Sequence, residues 1–130
     1  LIGVHPIFDN FEKCFSNLIH WTKPRGTIYI CDMFNKYPVD VLIKYKLSKN
    51  YTSDTYESGW NIFSEKSVSL YLKKNKRVKS FTFKNFDMPF KLRPKKDFIR
   101  SWTINSDKKR IMTNGLSIIQ QQTLLSIKLK

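Results

Sequence analysis

The sequence predicts an α/β fold with a mostly parallel sheet and an antiparallel strand at its C-terminal edge. Three observations lead to this prediction. An apolar segment, an amphipathic helix and a second apolar segment occupy the first 33 residues, in the order of a βαβ unit. Residues 27–33 form a continuous apolar run, which is typical of a strand buried on both faces of a parallel sheet. The chain ends in alternating apolar residues preceded by turn signals.

The first helix is predicted to begin near residue 10. Its apolar residues recur at helical spacing and share one face: Phe11, Cys14, Phe15, Leu18 and Ile19. Asp9 or Asn10 can cap its first turn, and Pro24 and Gly26 end it. A shorter helix is predicted over residues 39–45, followed by an insertion or lid loop over residues 47–61, which are polar and aromatic.

The second half of the chain predicts one helix and then strands. Ser64 is expected to open the helix, and Phe81 and Phe83 alternate in the strand that follows. The stretches SWTI and RIMT flank a turn at NSDK, and Asn114-Gly115 is a strong turn dipeptide. We expect residues 1–130 to form a single, partial domain.

The formal net charge of +14 makes a polyanion a possible partner. The dense basic runs KKNKRVK (residues 73–79) and KLRPKK (residues 91–96) could bind nucleic acid weakly. Only five of the 24 basic residues are Arg, the residue that phosphate and base recognition favours. The preferred interpretation of the positive charge is therefore a solvated basic surface. The alternative function is a basic nucleic-acid-binding module.

The cysteines indicate the cellular compartment, and the apolar segments indicate whether the chain binds a membrane or another protein chain. Cys14 and Cys31 match no metal or redox spacing, so we expect small apolar thiols in a reducing cytoplasm and no metal site. No apolar run approaches the roughly 20 residues of a membrane-spanning helix, so no membrane partner is predicted. The initial segment LIGV would leave an unpaired strand edge, which invites a homodimer or a complementing chain.

The segment GVHPIFDNFEKCFSNLIHWTKPRGTIYICDMFN, residues 3–35, resembles a passage of the class I S-adenosylmethionine-dependent methyltransferases. In that family a strand leads into a loop often carrying a His pair and a Phe-Asp, then a helix, a Lys-Pro-Gly-Gly turn and another strand. Here Pro6 and Ile7 stand at the His pair, and Arg25 replaces the first Gly of the turn. The resemblance implies the C-terminal half of a Rossmann-like methyltransferase sheet and a small-molecule methyl acceptor.

The resemblance also implies S-adenosylmethionine as the cofactor. The family holds it with a glycine-rich loop after the first strand and an acidic residue after the second. The four glycines of this chain, Gly3, Gly26, Gly59 and Gly115, are far apart in sequence. We therefore expect the cofactor to be bound mainly by an N-terminal half that is absent from these residues, and the chain to be inactive without it.

Candidate site residues follow the strands, because ligands of α/β sheets bind beyond the carboxyl ends of strands. Asp32 and His5 are the candidate catalytic residues, since a carboxylate shielded from water can act as a base and histidine titrates near neutral pH. Asn35 and Tyr37 are candidate substrate-binding residues. The alternatives are that Asp32 caps a loop or helix and that His5 is structural.

The stretch YESGWNIF, residues 56–63, is predicted to form one wall of a substrate-binding site. The indole of Trp60 can attract a cation or a planar acceptor, and Glu57 can accept a hydrogen bond. Arg100 could meet an anionic substrate. The alternative is a loop anchored by a buried tryptophan.

Overall fold

A computed structural model of the chain describes residues 1–107 and 109–130. The two α-helices are α1 (Phe11–Trp21) and α2 (Glu65–Lys74). The strands are β1 (Thr27–Asn35), β2 (Lys44–Tyr45), β3 (Glu57–Ser58), β4 (Phe63–Ser64), β5 (Val78–Asn85), β6 (Trp102–Ser106), β7 (Lys109–Thr113) and β8 (Gln122–Leu129). Single turns of 3₁₀ helix cover His5–Ile7 and Ser48–Asn50.

The main sheet has four strands in the order β4-β1-β8-β5. β8 runs antiparallel to both of its neighbours, whereas β4 runs parallel to β1. Ile2 forms an isolated parallel bridge to Cys31, so the initial apolar segment lies beside β1. Two further antiparallel pairs, β2 with β3 and β6 with β7, stand outside this sheet.

The predicted mostly parallel, Rossmann-like sheet is wrong: the protein has a curled mixed sheet in which the long strands pair antiparallel. The C-terminal strand is antiparallel as expected, but it lies between β1 and β5 and is not an edge strand. The error arises from residues 27–33, where Ile28 and Ile30 are buried but Tyr29 is 57% exposed. Tyr29 counts as an apolar residue in the sequence pattern, although a tyrosine side chain tolerates water. It therefore obscured the alternation of buried and exposed residues that is typical of an antiparallel strand with one exposed face.

Both long helices form where the sequence predicts them. Asn10 caps α1 by accepting a hydrogen bond from the Glu12 amide at 2.7 Å, and Ser64 caps α2 by accepting one from the Ser67 amide at 3.0 Å. The apolar faces of α1 and α2 and the inner faces of β1, β5 and β8 form one core. Its buried members are Phe11, Phe15, Ile19, Ile28, Ile30, Phe34, Phe63, Val68, Leu72, Val78, Leu125, Ile127 and Leu129.

The helix predicted over residues 39–45 is wrong. Asn35 accepts a hydrogen bond from the Tyr37 amide and donates one to the Val39 carbonyl, so the chain leaves β1 through a turn. Val41 then pairs with Ile62 in an extended conformation, and β2 follows. The predicted lid segment, residues 47–61, carries the second 3₁₀ turn and β3, which pairs with β2.

The strand with Phe81 and Phe83 is confirmed as β5, and the predicted hairpin is confirmed as β6 and β7. The turn that joins them includes Lys108, which lies outside the described residues. The turn at Asn114 and Gly115 is also present. Of the helices in the described ranges, none has both the length and the apolar character needed to cross a bilayer.

Candidate functional site

A cavity of about 730 Å³ lies beside β1 and contains most of the predicted site residues. Asp32 comes from β1, Glu57 from β3, Trp60 from the loop before β4, and Arg100 from the segment before β6. A cavity of roughly 300 to 1,000 Å³ is the usual size for a small-molecule site. The pairing of β2 with β3 and the β6–β7 hairpin bring these distant residues together. We call this space the acidic cavity, because Asp32, Glu57 and Asp97 all line it.

Asp32 forms part of the buried wall of the acidic cavity. The residue is only 3% exposed. Its Oδ1 atom accepts a hydrogen bond from the Met33 amide at 2.9 Å, and its Oδ2 atom lies 3.0 Å from the Nδ1 atom of His5. Among the described residues Oδ2 has no other polar partner. One carboxylate oxygen is therefore anchored by the backbone, and the other lies against the His5 imidazole.

His5 lies behind Asp32 and does not line the cavity. Its ring is fully buried and stacks on Phe34 with ring centroids 4.8 Å apart, while Phe15 and Phe63 approach from other sides at 5.8 Å. Its Nε2 atom has no hydrogen-bond partner in the described part of the chain. A ring clamped in this way can hold Asp32 in place, but it would not touch a molecule bound in the cavity.

Trp60 lines the acidic cavity in an unusual backbone conformation. Its φ angle is +63°, in the left-handed region that costs a non-glycine residue roughly 1 to 3 kcal/mol. The side chain is half-buried, so the residue is not a fully buried loop anchor. Strain that is held by the surrounding structure is typical of functional positions, and Trp60 lies in the wall of the cavity.

Asn61, next to Trp60, holds this loop on the body of the protein. Its side chain is fully buried, accepts a hydrogen bond from the Ile43 amide at 2.7 Å and donates one to the Phe8 carbonyl at 2.8 Å. Its backbone amide donates to the Pro6 carbonyl at 3.0 Å. The loop that carries Trp60 is thereby joined to the segment that carries His5.

Asp9 reinforces the same connection. Its carboxylate accepts hydrogen bonds from Lys44 of β2, Ser58 of β3 and Asn61. The hydrogen bonds from Lys44 and Ser58 lower the pKa of Asp9 to about 2. The β2–β3 pair, which carries Glu57, is consequently fastened to the start of α1 by charge as well as by hydrogen bonds.

Glu57 and Arg100 lie on the exposed rim of the cavity. The Glu57 Oε2 atom accepts a hydrogen bond from the Tyr45 hydroxyl at 3.0 Å. Burial, with this hydrogen bond as a further cause, raises the pKa of Tyr45. The Arg100 Nε atom donates to Asp97 at 3.2 Å in an exposed ion pair, so Arg100 already has an anionic partner. Glu57 is free to bind a ligand, whereas Arg100 is a weaker anion site than its position in the sequence indicates.

Asn35 and Tyr37 are not part of the cavity. Asn35 uses its side-chain amide to form the turn after β1, and Tyr37 is 76% exposed. The structure therefore brings Asp32, Glu57, Trp60 and Arg100 together, with His5 behind them, and leaves the other two candidates outside.

The C-terminal part of the chain contributes cavity residues that the sequence did not single out. Gln120 is 2% exposed, and its Oε1 atom accepts a hydrogen bond from the Ser101 hydroxyl at 2.8 Å. Its Nε2 atom has no partner among the described residues. Gln120 belongs to the run QQQ, residues 120–122, in which no local pattern distinguishes a buried glutamine from an exposed one.

A second, shallow groove lies at the opposite end of β1 and β8. It has a volume of about 530 Å³ and is lined by Arg25, Lys79, Lys128 and Lys130, together with Thr27 and Leu129. All four basic side chains are exposed, and no Asp or Glu is among the described residues that line the groove. We call it the basic groove.

No protein-family model, curated protein or solved structure matches this chain. The site must therefore be interpreted from its own chemistry. Within residues 1–107 and 109–130, no group of three or more His, Cys, Asp or Glu side chains is placed to hold a metal ion.

The glycines form no complete cradle for S-adenosylmethionine. Gly3 lines the acidic cavity with a φ of +63°, and a Cβ atom there would meet nothing within 4 Å. At Gly26 a Cβ atom would collide with Thr22 and Lys23, and at Gly115 with Phe98, so these two glycines serve local turns. The described residues therefore do not fit the whole cofactor.

Proposed function

We propose that this chain supplies the acceptor-binding side of an S-adenosylmethionine-dependent methyltransferase that acts on a small molecule. One observation carries the proposal. Asp32, Glu57, Trp60 and Arg100, chosen as candidate site residues from their sequence context, line one cavity of a size suited to a small ligand. The resemblance of residues 3–35 to the methyltransferase family supplies the reaction class.

In this proposal the residues of the chain bind and orient the acceptor. The Trp60 indole offers an apolar face, and the Met33 side chain, which is buried, adds to the same wall. Asp32 accepts the proton that the acceptor must lose, and His5 holds the Asp32 carboxylate at 3.0 Å. His5 is accordingly a positioning residue, and Asp32 is the candidate catalytic residue.

The cofactor itself would be held mainly by residues outside these 130. This part of the proposal rests on the scattered glycines, none of which approaches another in sequence. It predicts that the chain by itself binds S-adenosylmethionine weakly. Calorimetry of the isolated chain with the cofactor should therefore give no tight one-to-one isotherm, and a tight isotherm would contradict it.

The proposed function is tested by transfer of a labelled methyl group to a panel of small amines, alcohols and thiols. The enzyme is the gene product that contains this chain, and the variants are Trp60→Ala and the matched control Tyr51→Ala, whose aromatic ring is 76% exposed outside the cavity. Trp60→Ala should raise the KM for the acceptor about tenfold, the effect of losing about 1.4 kcal/mol of binding free energy. Tyr51→Ala should leave KM unchanged.

Two results would remove the proposed function. The first is the absence of methyl transfer to any acceptor by a folded gene product. The second is transfer with a KM that responds equally to both substitutions, because the acceptor would then bind elsewhere.

Nucleic-acid binding is a second candidate function, and the basic groove favours it. Four exposed cations line the groove and no Asp or Glu is among its described lining residues, and Lys79 belongs to the basic run 73–79. The neighbouring Arg77 does not contribute, because its guanidinium donates to the Ile19 and Thr22 carbonyls at the end of α1. The groove would bind phosphates without reading sequence.

A fluorescence-anisotropy titration with labelled single-stranded RNA tests this candidate. If all four cations contact phosphates, the logarithm of the binding constant should fall with the logarithm of salt concentration with a slope of about −3. The double variant Lys79→Glu with Lys128→Glu should abolish binding, whereas Lys91→Glu with Lys95→Glu in the other basic run should not. No binding at low salt, or equal losses in both double variants, would exclude the basic groove.

A further inference from the structure

The acidic cavity has a charge opposite to that of the protein. The chain carries 24 basic and 10 acidic residues, yet three of those acidic residues and only one basic residue, Arg100, line this cavity. Arg100 is paired with Asp97 at 3.2 Å. Asp32 and Glu57 therefore remain in the cavity wall as two carboxyl groups without a lysine or arginine partner in the cavity, and Asp32 has the His5 ring beside it.

Two buried polar atoms in the cavity wall have fewer hydrogen-bond partners than they can accommodate. The Asp32 Oδ2 atom has only the His5 ring beside it, and the Gln120 Nε2 atom has no partner among the described residues. Buried polar groups are nearly always paired in folded proteins, so unpaired ones at a cavity indicate groups that a ligand satisfies. One of these atoms is an acceptor and the other a donor.

The Trp60 indole in the cavity wall also favours a positively charged ligand. The face of an indole attracts a cation that lies within about 6 Å of the ring centre. Trp60 is held at the cavity with its strained φ of +63°, and the Glu57 carboxylate stands near the same loop, fixed by Tyr45 at 3.0 Å. Carboxylate and indole together are a common combination for binding an ammonium group, and they repel an anion.

We propose that the acidic cavity binds a positively charged small amine, with its ammonium group between Glu57, Asp32 and the Trp60 indole. An oxygen on the ligand would accept the free N–H of Gln120. This inference deepens the proposed function, because the amine would be the methyl acceptor, but the binding step can be measured without any methyl transfer.

The experiment compares three probes of similar shape and different charge: benzylamine, benzyl alcohol and benzoate. Each is titrated into the isotopically labelled chain, and the Trp60 indole resonance, assigned with Trp60→Phe, reports binding by NMR. Benzylamine should give a saturable shift with a dissociation constant at least about tenfold lower than that of benzyl alcohol. Benzoate should not shift the resonance.

Glu57→Gln and Asp54→Asn are the matched variants. Each removes one carboxylate from an exposed position, but only Glu57 lines the cavity. Glu57→Gln should weaken benzylamine binding about fivefold or more and leave benzyl alcohol binding unchanged, since only the charged probe uses the carboxylate. Asp54→Asn should change neither.

The inference is overturned if benzyl alcohol or benzoate binds as tightly as benzylamine, if none of the three gives a saturable shift, or if both variants weaken amine binding equally. These outcomes differ from failure of the proposed function. Methyl transfer by the gene product to an alcohol would support the proposed function and contradict the proposal that the ligand is an amine. Amine binding without any methyl transfer by the gene product would support the amine proposal and contradict the proposed function.

Discussion

Asn61→Leu should disconnect the cavity loop from the body of the protein. The substitution keeps the side-chain volume similar but removes the acceptor for the Ile43 amide at 2.7 Å and the donor to the Phe8 carbonyl at 2.8 Å. Each partner left unpaired costs about 1 to 3 kcal/mol, so the loss of unfolding free energy for the two partners should be about 2 to 6 kcal/mol. The third, longer contact to Asp9 at 3.3 Å adds little.

Equilibrium urea denaturation followed by circular dichroism measures this loss. The midpoint should fall while the slope of unfolding free energy against urea stays constant, because the native surface is preserved. The matched control is Asn50→Leu in the exposed turn, which should change the unfolding free energy by less than about 0.5 kcal/mol. The reasoning is refuted if the two variants are equally stable, or if the Trp60 indole resonance of Asn61→Leu is the same as in wild type.

Three further predictions concern acid stability, the strained loop and the core. The pKa of Asp9 is lowered from 3.8 to about 2, so its ionised form stabilises the fold above that range and the contribution is lost as the pH falls through it. The stability difference between wild type and Asp9→Asn should therefore shrink between about pH 4 and pH 2 in urea titrations, and a difference constant with pH would contradict the pairing. Trp60→Gly should be more stable than Trp60→Ala by about 1 kcal/mol in thermal melts, because glycine accepts the positive φ, and the reverse order would show that the loop relaxes. Leu72→Ala, at a fully buried position, should cost about 2 to 5 kcal/mol, whereas Leu70→Ala, 49% exposed on the same helix, should cost less than about 1 kcal/mol, and similar losses would contradict the packing of α2.

The local elements were predictable from the sequence because their signals are local. The face formed by Phe11, Phe15 and Ile19 specifies α1, and the cap at Ser64 specifies the start of α2. The hairpin of β6 and β7 follows from two short apolar stretches around a turn. In each case the residues that make the element are neighbours in sequence.

The sheet topology was not predictable in the same way. The central pairing joins Ile28 with Ile127, nearly the whole chain apart, and no local pattern states that β8 lies beside β1. The predicted helix over residues 39–45 failed because Asn35 and its turn redirect the chain, and because Val41 pairs with Ile62. Long-range pairing contributes to both errors, together with the exposed Tyr29 in the sheet and the Asn35 turn before residues 39–45.

The candidate site was predictable in part. Asp32, Glu57 and Trp60 stood out because they combine an acid or an indole with the end of a strand or a loop, and all three line the cavity. Asn35 stood out for the same reason but serves its own turn. Gln120 could not be found, because its burial depends on packing between the C-terminal strands.

The most direct test of the central claim is the effect of Asp32→Asn on methyl transfer by the gene product that contains this chain. Asp32 is the buried carboxylate of the acidic cavity and the proposed general base, and removal of a general base costs about 10² to 10⁴ in rate. We expect a fall in kcat of at least about 10²-fold with the fold retained, while Asp54→Asn transfers at the wild-type rate. An Asp32→Asn enzyme that transfers methyl groups as fast as wild type would contradict the account.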